Sequence, residues 1–356
     1  MRTTPSSRRR LFRAAAALTA AAALALTGCA SGSGSAAGGD AEGLKEMTVV
    51  TFLPLESFTF TPEMFAYSGG YFEKHGLKVD LQPVKGTAAA IQSLLGGAAT
   101  ITRASTVDVF PAMEKGQPIQ AVGTMAYKSN LRMISVKDNP VATPQDMKGK
   151  TIGMGSVGGT SEKMLDLTLH ANDIAKDDVT RQAVPVTAAT LEVVRKGQLD
   201  GYIVSLDTSI GIGAQNDDAV VDDAGLGDSP DIQTWLATAS TLKDPEKAKE
   251  VTAFLAAIRE AVQAVIDDAP NHYANVLKTL RDSGDWKFPA LEDDQVAADA
   301  LDVYTSQTWV DASGDVPLLQ NNVDAWKKTY DTYVEAGMLQ GGHDPSDWIT
   351  NDYLPE

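Results

Sequence analysis

From Met47 onward the chain alternates short β-rich runs with amphipathic helices, and it runs through that alternation twice. No other feature constrains the fold as much, because strand–helix–strand units build mainly parallel sheets covered by helices on both faces. In the first series, strands are expected at 47–52, 78–83, 99–102 and 119–125, and helices at 62–75, 87–95 and 106–115. Val79 and Leu81 alternate with Lys78 and Asp80, as a half-buried strand requires. Gly76, Gly96-Gly97 and Gly116 stand just past the expected helices, where a left-handed residue ends them. The second series opens at Leu131, with strands at 131–136, 151–154, 180–185 and 200–204 and helices at 160–171 and 188–196. A last strand is expected at 235–239, and long helices at 245–268, 270–282, 293–306 and 323–335. About 310 residues run from Met47 to Glu356, too many for one simple core and enough for two α/β lobes. In open α/β sheets ligands sit at the carboxyl ends of the strands, so two lobes with facing strand ends make a cleft.

The first 28 residues read as an export signal. Arg8, Arg9, Arg10 and Arg13 form a basic start, and Ala14–Leu26 is an apolar run of 13 residues, short of the roughly 20 that a membrane span needs. The run closes on Leu26-Thr27-Gly28-Cys29, which resembles a lipobox. That resemblance implies that Cys29 is diacylated on sulfur and becomes the first mature residue, anchoring the protein to the outer face of the cytoplasmic membrane. An ordinary signal peptide with a chance cysteine is the plainer alternative. Ser7–Arg13 also resembles a twin-arginine signal. Residues 29–46, small and flexible, read as a lipidated tether.

Cys29 is the only cysteine, so the fold beyond it has no disulfide to lean on and no thiol chemistry. Removing residues 1–28 removes five arginines and no acid, which leaves 25 basic against 47 acidic residues and a formal charge of −22. Such a surface repels nucleic acid and anionic headgroups, and nucleic acid is excluded as a partner.

Several motifs occur in a fixed order. Ala66–Asp80 contains Gly70-Tyr71-Phe72-Glu73-Lys74-His75-Gly76-Leu77-Lys78-Val79, and Leu94–Thr100 reads LLGGAAT. Pro144–Gly153 reads PQDMKGKTIG, Lys196–Gly201 reads KGQLDG, and Asp244-Pro245-Glu246-Lys247 precedes Ala253-Phe254-Leu255. Together these resemble the nitrate/sulfonate/taurine and thiamine-precursor (SsuA/THI5-like, NMT1-type) solute-binding proteins of ABC transporters, over about 47–340. Thr100 stands where that family commonly has Asp. The resemblance implies a two-lobe, type II periplasmic-binding-protein-like α/β fold. It places lobe 1 at 47–127 and 240–356 and lobe 2 at 131–232, with crossings near Tyr127–Leu131 and Thr234–Thr241. It further implies a monomer without a cofactor, which hands a small organic solute to permease subunits driven by a cytoplasmic ATPase.

The candidate ligand-binding residues lie where strands end and helices begin. Gly86 and Thr87 precede one helix, and Gly158, Gly159, Thr160 and Ser161 precede another. Free backbone N–H groups and the helix dipole there attract polar or anionic groups. Plain N-capping by the hydroxyls is the alternative. After the first strand come Glu56, Phe58 and Phe60, with the two rings either walling a pocket or one of them tucked under a surface loop. Arg103 and Ser105 follow another strand, where the guanidinium either meets a carboxylate or sulfonate or makes a surface ion pair. Ser205 and Asp207 are their counterparts in the second series, with Asp207 either meeting an amine or capping the next helix. Trp235, near the return crossing, is expected to pack in the core or hinge, with stacking on a ligand as the alternative.

The four histidines lack metal-ligand spacing, and Asp217-Asp218 with Asp222-Asp223 reads as a solvated acidic loop, so no metal is expected. Gly153–Gly158 contains G-x-G-x-x-G, but no P-loop or G-x-S-x-G elbow is present. The related pyrimidine-precursor synthase carries a cysteine-rich motif, which this chain lacks, so an enzyme is not expected. A surface receptor for a membrane sensor fits the sequence as well as an importer component does. Arg103 opposite Glu56 or Asp207 suits a zwitterion or polar heterocycle, and a sulfonate or taurine-like solute is the other expectation.

Overall fold

The computed structural model describes residues 43–311 and 313–356. The expected signal segment, Cys29 and most of the expected tether lie outside the described residues. The first series comprises β1 (Lys45–Thr51), α1 (Thr61–Ser68), α2 (Tyr71–Lys74), β2 (Leu77–Pro83), α3 (Thr87–Leu95), β3 (Ile101–Ser105), α4 (Thr106–Glu114) and β4 (Ile119–Ala126). The second comprises β5 (Leu131–Val136), β6 (Thr151–Met154), α5 (Thr160–Ala171), β7 (Thr180–Ala183), α6 (Leu191–Arg195), β8 (Gly201–Ser205), α7 (Leu206–Gln215) and β9 (Ala219–Asp222). The chain then forms β10 (Gln233–Thr238), α8 (Ala239–Lys243), α9 (Pro245–Asp267), α10 (Ala274–Ser283), α11 (Pro289–Glu292), α12 (Asp294–Val303) and α13 (Val323–Glu335).

The strands make two sheets of five, ordered β2-β1-β3-β10-β4 and β7-β6-β8-β5-β9. Each sheet is parallel apart from one strand. β10 runs against both β3 and β4, and β5 runs against both β8 and β9. The result is a two-lobed α/β fold. The chain passes from the first sheet to the second through 127–130 and returns through 223–232. The return crossing expected at Thr234–Thr241 is therefore displaced: those residues belong to β10 and α8. All six residues of β10 are buried, as suits a strand inserted into a sheet interior. The polar stretch ahead of it makes the passage instead.

Three further departures have local causes. The helix expected over 62–75 breaks at Gly69-Gly70, where Gly70 has φ +74°. A Cβ on Gly69 would stand 2.6 Å from the Tyr71 ring and 2.8 Å from the Phe65 carbonyl oxygen. The helix expected from Pro270 starts only at Ala274, because His272 and Tyr273 are both left-handed, at φ 51° and 59°. Asp268 takes over the first turn, accepting from the backbone N–H groups of Asn275 at 2.9 Å and Val276 at 3.0 Å. The stretch around Asp217–Asp223 is not simply a loop. Ala219, Val220 and Val221 pair with β5 as an edge strand flanked by acids, which discourages pairing with another chain.

Helices cover both faces of the first sheet. On one face Trp235 meets Phe254 of α9 edge-on, with ring centres 4.9 Å apart, and Phe72 stacks on the same Phe254 at 5.5 Å. On the other, Phe110 of α4 packs against Trp326, Tyr330 and Tyr333 of α13. Among the described residues no helix is long and apolar enough to cross a membrane.

Candidate ligand-binding site

The carboxyl ends of the strands in the two sheets face each other, and the lobes touch there. Thr160, at the start of α5, donates its hydroxyl to Asp108 Oδ2 of α4 at 2.9 Å. Lys163, one turn further along α5, pairs with the other oxygen of Asp108. Ser57, in the loop after β1, donates to Asp207 Oδ1 in the first turn of α7 at 2.9 Å. Ser105 accepts from the Val107 backbone N–H at 3.3 Å and donates to Asp231 in the return crossing.

Beneath these contacts the first lobe holds a buried polar cluster, which we call the chamber. Antiparallel pairing sets Trp235 of β10 across from Arg103 of β3, and Gln233 across from Ser105, so these four side chains share one face of the sheet. Arg103 and Glu63 are both 0% exposed. The guanidinium donates from Nη2 to the Thr59 carbonyl oxygen at 2.9 Å. Its central carbon lies 4.8 Å from the Phe60 ring centre, 5.6 Å from Phe52 and 5.8 Å from Trp235. Its Nε stands 3.3 Å from Glu63 Oε1, close enough for an ion pair, but the N–H is not aimed for a hydrogen bond. Eight buried side-chain polar atoms lack a hydrogen-bond partner among the described residues, and seven of them belong to Thr61, Glu63, Arg103, Gln233 and Trp235. A buried polar atom left unpaired costs about 1–3 kcal/mol, so such a concentration marks a place built to receive another polar group.

Burial pushes the Glu63 carboxyl up, opposed by Arg103 and by the Glu63 backbone N–H. Burial pushes the Arg103 guanidinium down, opposed by Glu63. An arginine keeps its proton in proteins, so the pair stands as matched opposite charges. At the rim of the chamber, Asp207 is also pushed up by burial, against hydrogen bonds from Ser57, its own backbone, Ser205 and the Phe58 backbone. Tyr304 caps the chamber from the first lobe and accepts from Asn130 Nδ2 of the outgoing crossing at 3.0 Å. Burial, with Asp207 next in strength, holds its hydroxyl far above the usual phenol range. Tyr304 opens a π-helical turn, Tyr304–Thr308, that continues α12. Such turns often mark functional positions.

The structure sorts the sequence candidates. Arg103 and Phe60 line the chamber, and Asp207 stands at its rim. Arg103 makes a buried ion pair, not a surface one. Phe58 is 0% exposed and packs edge-on against Phe288 at 5.1 Å, away from the Arg103 contacts. Residues 58–60 form a buried 3-10 turn, not a surface loop. Glu56 is exposed and lies away from the Arg103 contacts. Ser105 caps α4. Ser205 holds the cap position of α7, but its hydroxyl bonds to Thr208 Oγ1 at 2.9 Å. Gly86 and Gly159 hold the cap positions of α3 and α5 without side-chain capping. The Gly158 N–H is taken by the Glu162 carboxylate. Thr87 is buried and Ser161 half-buried. Among the described residues no hydrogen bond joins Gly86 or Thr87 to the second lobe; α5 meets Asp108 of α4 instead. Sequence reasoning missed Glu63, Tyr304 and Asn130. Glu63 had no distinguishing signal, since an acid in a first helical turn is commonplace.

A groove of about 460 Å³ lies elsewhere, between α10 and α12. Its charges are satisfied locally, as Arg281 pairs with Asp294 at 2.7 Å and Lys278 with Asp282. The chamber, where unpaired polar atoms of the first lobe lie beside the contacts between the lobes, is the stronger site.

The NMT1/THI5-like family model matches residues 57–271. The riboflavin-binding protein RibY of Chloroflexus aurantiacus is 27% identical over 157 residues, which is 42% of this chain and 43% of RibY. The chain thus spans less than half the length of the curated relatives it matches. The periplasmic aliphatic sulphonate binding protein SsuA of Escherichia coli aligns over 86% of this chain and 97% of its own, at TM-score 0.62 and 14% identity. The desulfurization enzyme DSZB aligns over 86% and 97%, at TM-score 0.54 and 13% identity. At these identities the likeness shows the fold, that of periplasmic binding proteins, which serves binding proteins and an enzyme alike.

Proposed function

Since the chain belongs to the NMT1/THI5-like family, we propose that it is a lipid-anchored solute-binding protein that captures a small organic solute between its lobes and delivers it to an ABC importer. One observation carries this reading. The lobes meet, with Ser57 of one bonded to Asp207 of the other, beside a buried first-lobe cluster in which polar groups of Glu63 and Arg103 are unpaired among the described residues. A closed site of this kind suits holding a molecule out of water, and the chain has no thiol beyond Cys29. Permease subunits and a cytoplasmic ATPase are the partners this role requires. The solute classes in view are a sulfonate or taurine-like molecule and a heterocycle resembling a thiamine precursor.

Capture requires the lobes to part and close about 127–130 and 223–232, a hinge motion. Protein purified from its own host is expected to carry a small molecule, detected by native mass spectrometry and removed by unfolding and refolding. The emptied protein should show a larger radius of gyration in solution scattering than the filled one. Equal radii in the two states would rule out closure on the solute.

Anchoring is tested separately. Cys29→Ser is expected to abolish lipid attachment, so that the protein is released to the medium or stays unprocessed. Unchanged processing and membrane attachment would remove Cys29 from this role.

A further inference from the structure

Resting on the solute-capture reading, we infer that the chamber takes an uncharged planar group that donates and accepts hydrogen bonds side by side, such as the –CO–NH– edge of an amide or cyclic ureide, and that it turns away sulfonates and inorganic anions. The first ground is charge. Three cations at the cleft are each faced by a carboxylate: Arg103 by Glu63, Lys163 by Asp108, and half-buried Arg132 by Asp223 and Asp222. An anion docking on Arg103 meets the Glu63 carboxylate 3.3 Å from the guanidinium, in a setting with little water to screen the repulsion.

The second ground is the inventory of unpaired atoms. Arg103 Nε and Nη1 and Trp235 Nε1 are donors, whereas both Glu63 oxygens and Gln233 Oε1 are acceptors. A sulfonate or nitrate accepts only, and leaves the acceptors stranded. A simple ammonium donates only, and leaves the guanidinium and indole stranded. An amide or ureide edge offers both functions within one plane. The rings of Phe52, Phe60 and Trp235 around the guanidinium suit a flat partner.

The inference is tested with uracil as the neutral probe and ethanesulfonate and nitrate as anion probes, by thermal shift and calorimetry on refolded, ligand-free protein. Uracil is expected to raise the melting temperature and the anions are not. Glu63→Gln removes the counter-charge while keeping the shape, so it should weaken uracil at least about tenfold and gain ethanesulfonate binding. The double variant Glu63→Gln, Arg103→Gln restores neutrality if the single variant folds poorly, and it should lose uracil without gaining ethanesulfonate. Stabilisation of the parent by the anions and not by uracil overturns the inference and leaves solute capture standing. So does a double variant that binds uracil undiminished. If no probe stabilises the parent, the solute carried from the host decides: a neutral amide or ureide supports the inference, and any molecule without such an edge overturns it. No probe binding and no carried solute sinks capture itself, and the inference with it.

Discussion

Glu63→Ala is expected to cost about 3–5 kcal/mol of folding stability, the penalty for stranding one member of a buried ion pair. Arg103 has nowhere to put its charge once Glu63 is gone. It is 0% exposed, its one described hydrogen bond goes to the Thr59 carbonyl, and rings surround it. Arg103→Ala should destabilise by a similar amount, eased to the extent that Glu63, already pushed up by burial, takes up a proton. Replacing both, with Glu63→Leu and Arg103→Met, is expected to be close to neutral or stabilising by about 1–4 kcal/mol, because neither charge then has to leave water. Urea unfolding at neutral pH measures all three. A loss below about 1 kcal/mol for Glu63→Ala would mean that water already reaches the pair, against a closed chamber.

Asp231 should make stability depend on pH in the direction opposite to an ordinary salt-bridged acid. Burial, with a smaller push from Asp108 and against the hydrogen bond from Ser105, raises its pKa from 3.8 to about 6. Between those values the folded state holds the proton more tightly than the unfolded state does. Its contribution is therefore fully present well below pH 3.8, and is lost as pH rises from there to about 6. The gap corresponds to about 3 kcal/mol. Acids whose pKa values are lowered, such as Glu114 and Asp146, act in the opposite sense. The contribution of Asp231 is therefore read as the difference between the parent protein and Asp231→Asn. The asparagine variant should gain on the parent steadily from pH 4 to pH 6 and hold that gain to pH 8. A difference that stays flat across the range would show that Asp231 titrates as if exposed.

Much of the architecture was legible because it rests on local rules. The strand–helix alternation, and the glycines at 76, 97, 116 and 197 that take positive φ, are set within a few residues of sequence. What failed to show depends on partners far along the chain. β10 reads as a short apolar strand near an expected crossing, and only its pairing with β3 and β4 reveals it as a sheet interior. The chamber was half legible. Arg103, Phe60 and Asp207 stood out as unusual residue types at strand and helix junctions. Glu63, from α1, and Tyr304, from the end of α12, reach the same place from remote segments, and nothing in their neighbourhoods announces it. Phe58 and Phe60 look alike in the sequence. The 3-10 turn sends one toward Phe288 and the other onto the guanidinium.

The order β2-β1-β3-β10-β4 also bears on how the chain assembles as it is made. β3 and β4 emerge early, yet they do not pair with each other; the strand that joins them is Gln233–Thr238, after the whole of the second sheet. Until then the first sheet has a vacant slot with two unpaired edges, the kind of surface that recruits foreign strands. The second sheet, built from the unbroken stretch between Leu131 and Asp222, has every strand it needs once that stretch has been made. Folding is thus biased to begin in the middle of the chain, and the first lobe is sealed only when β10 slides into its slot. The strand that seals the lobe also carries Trp235 and Gln233, so the polar chamber comes into being at the same step.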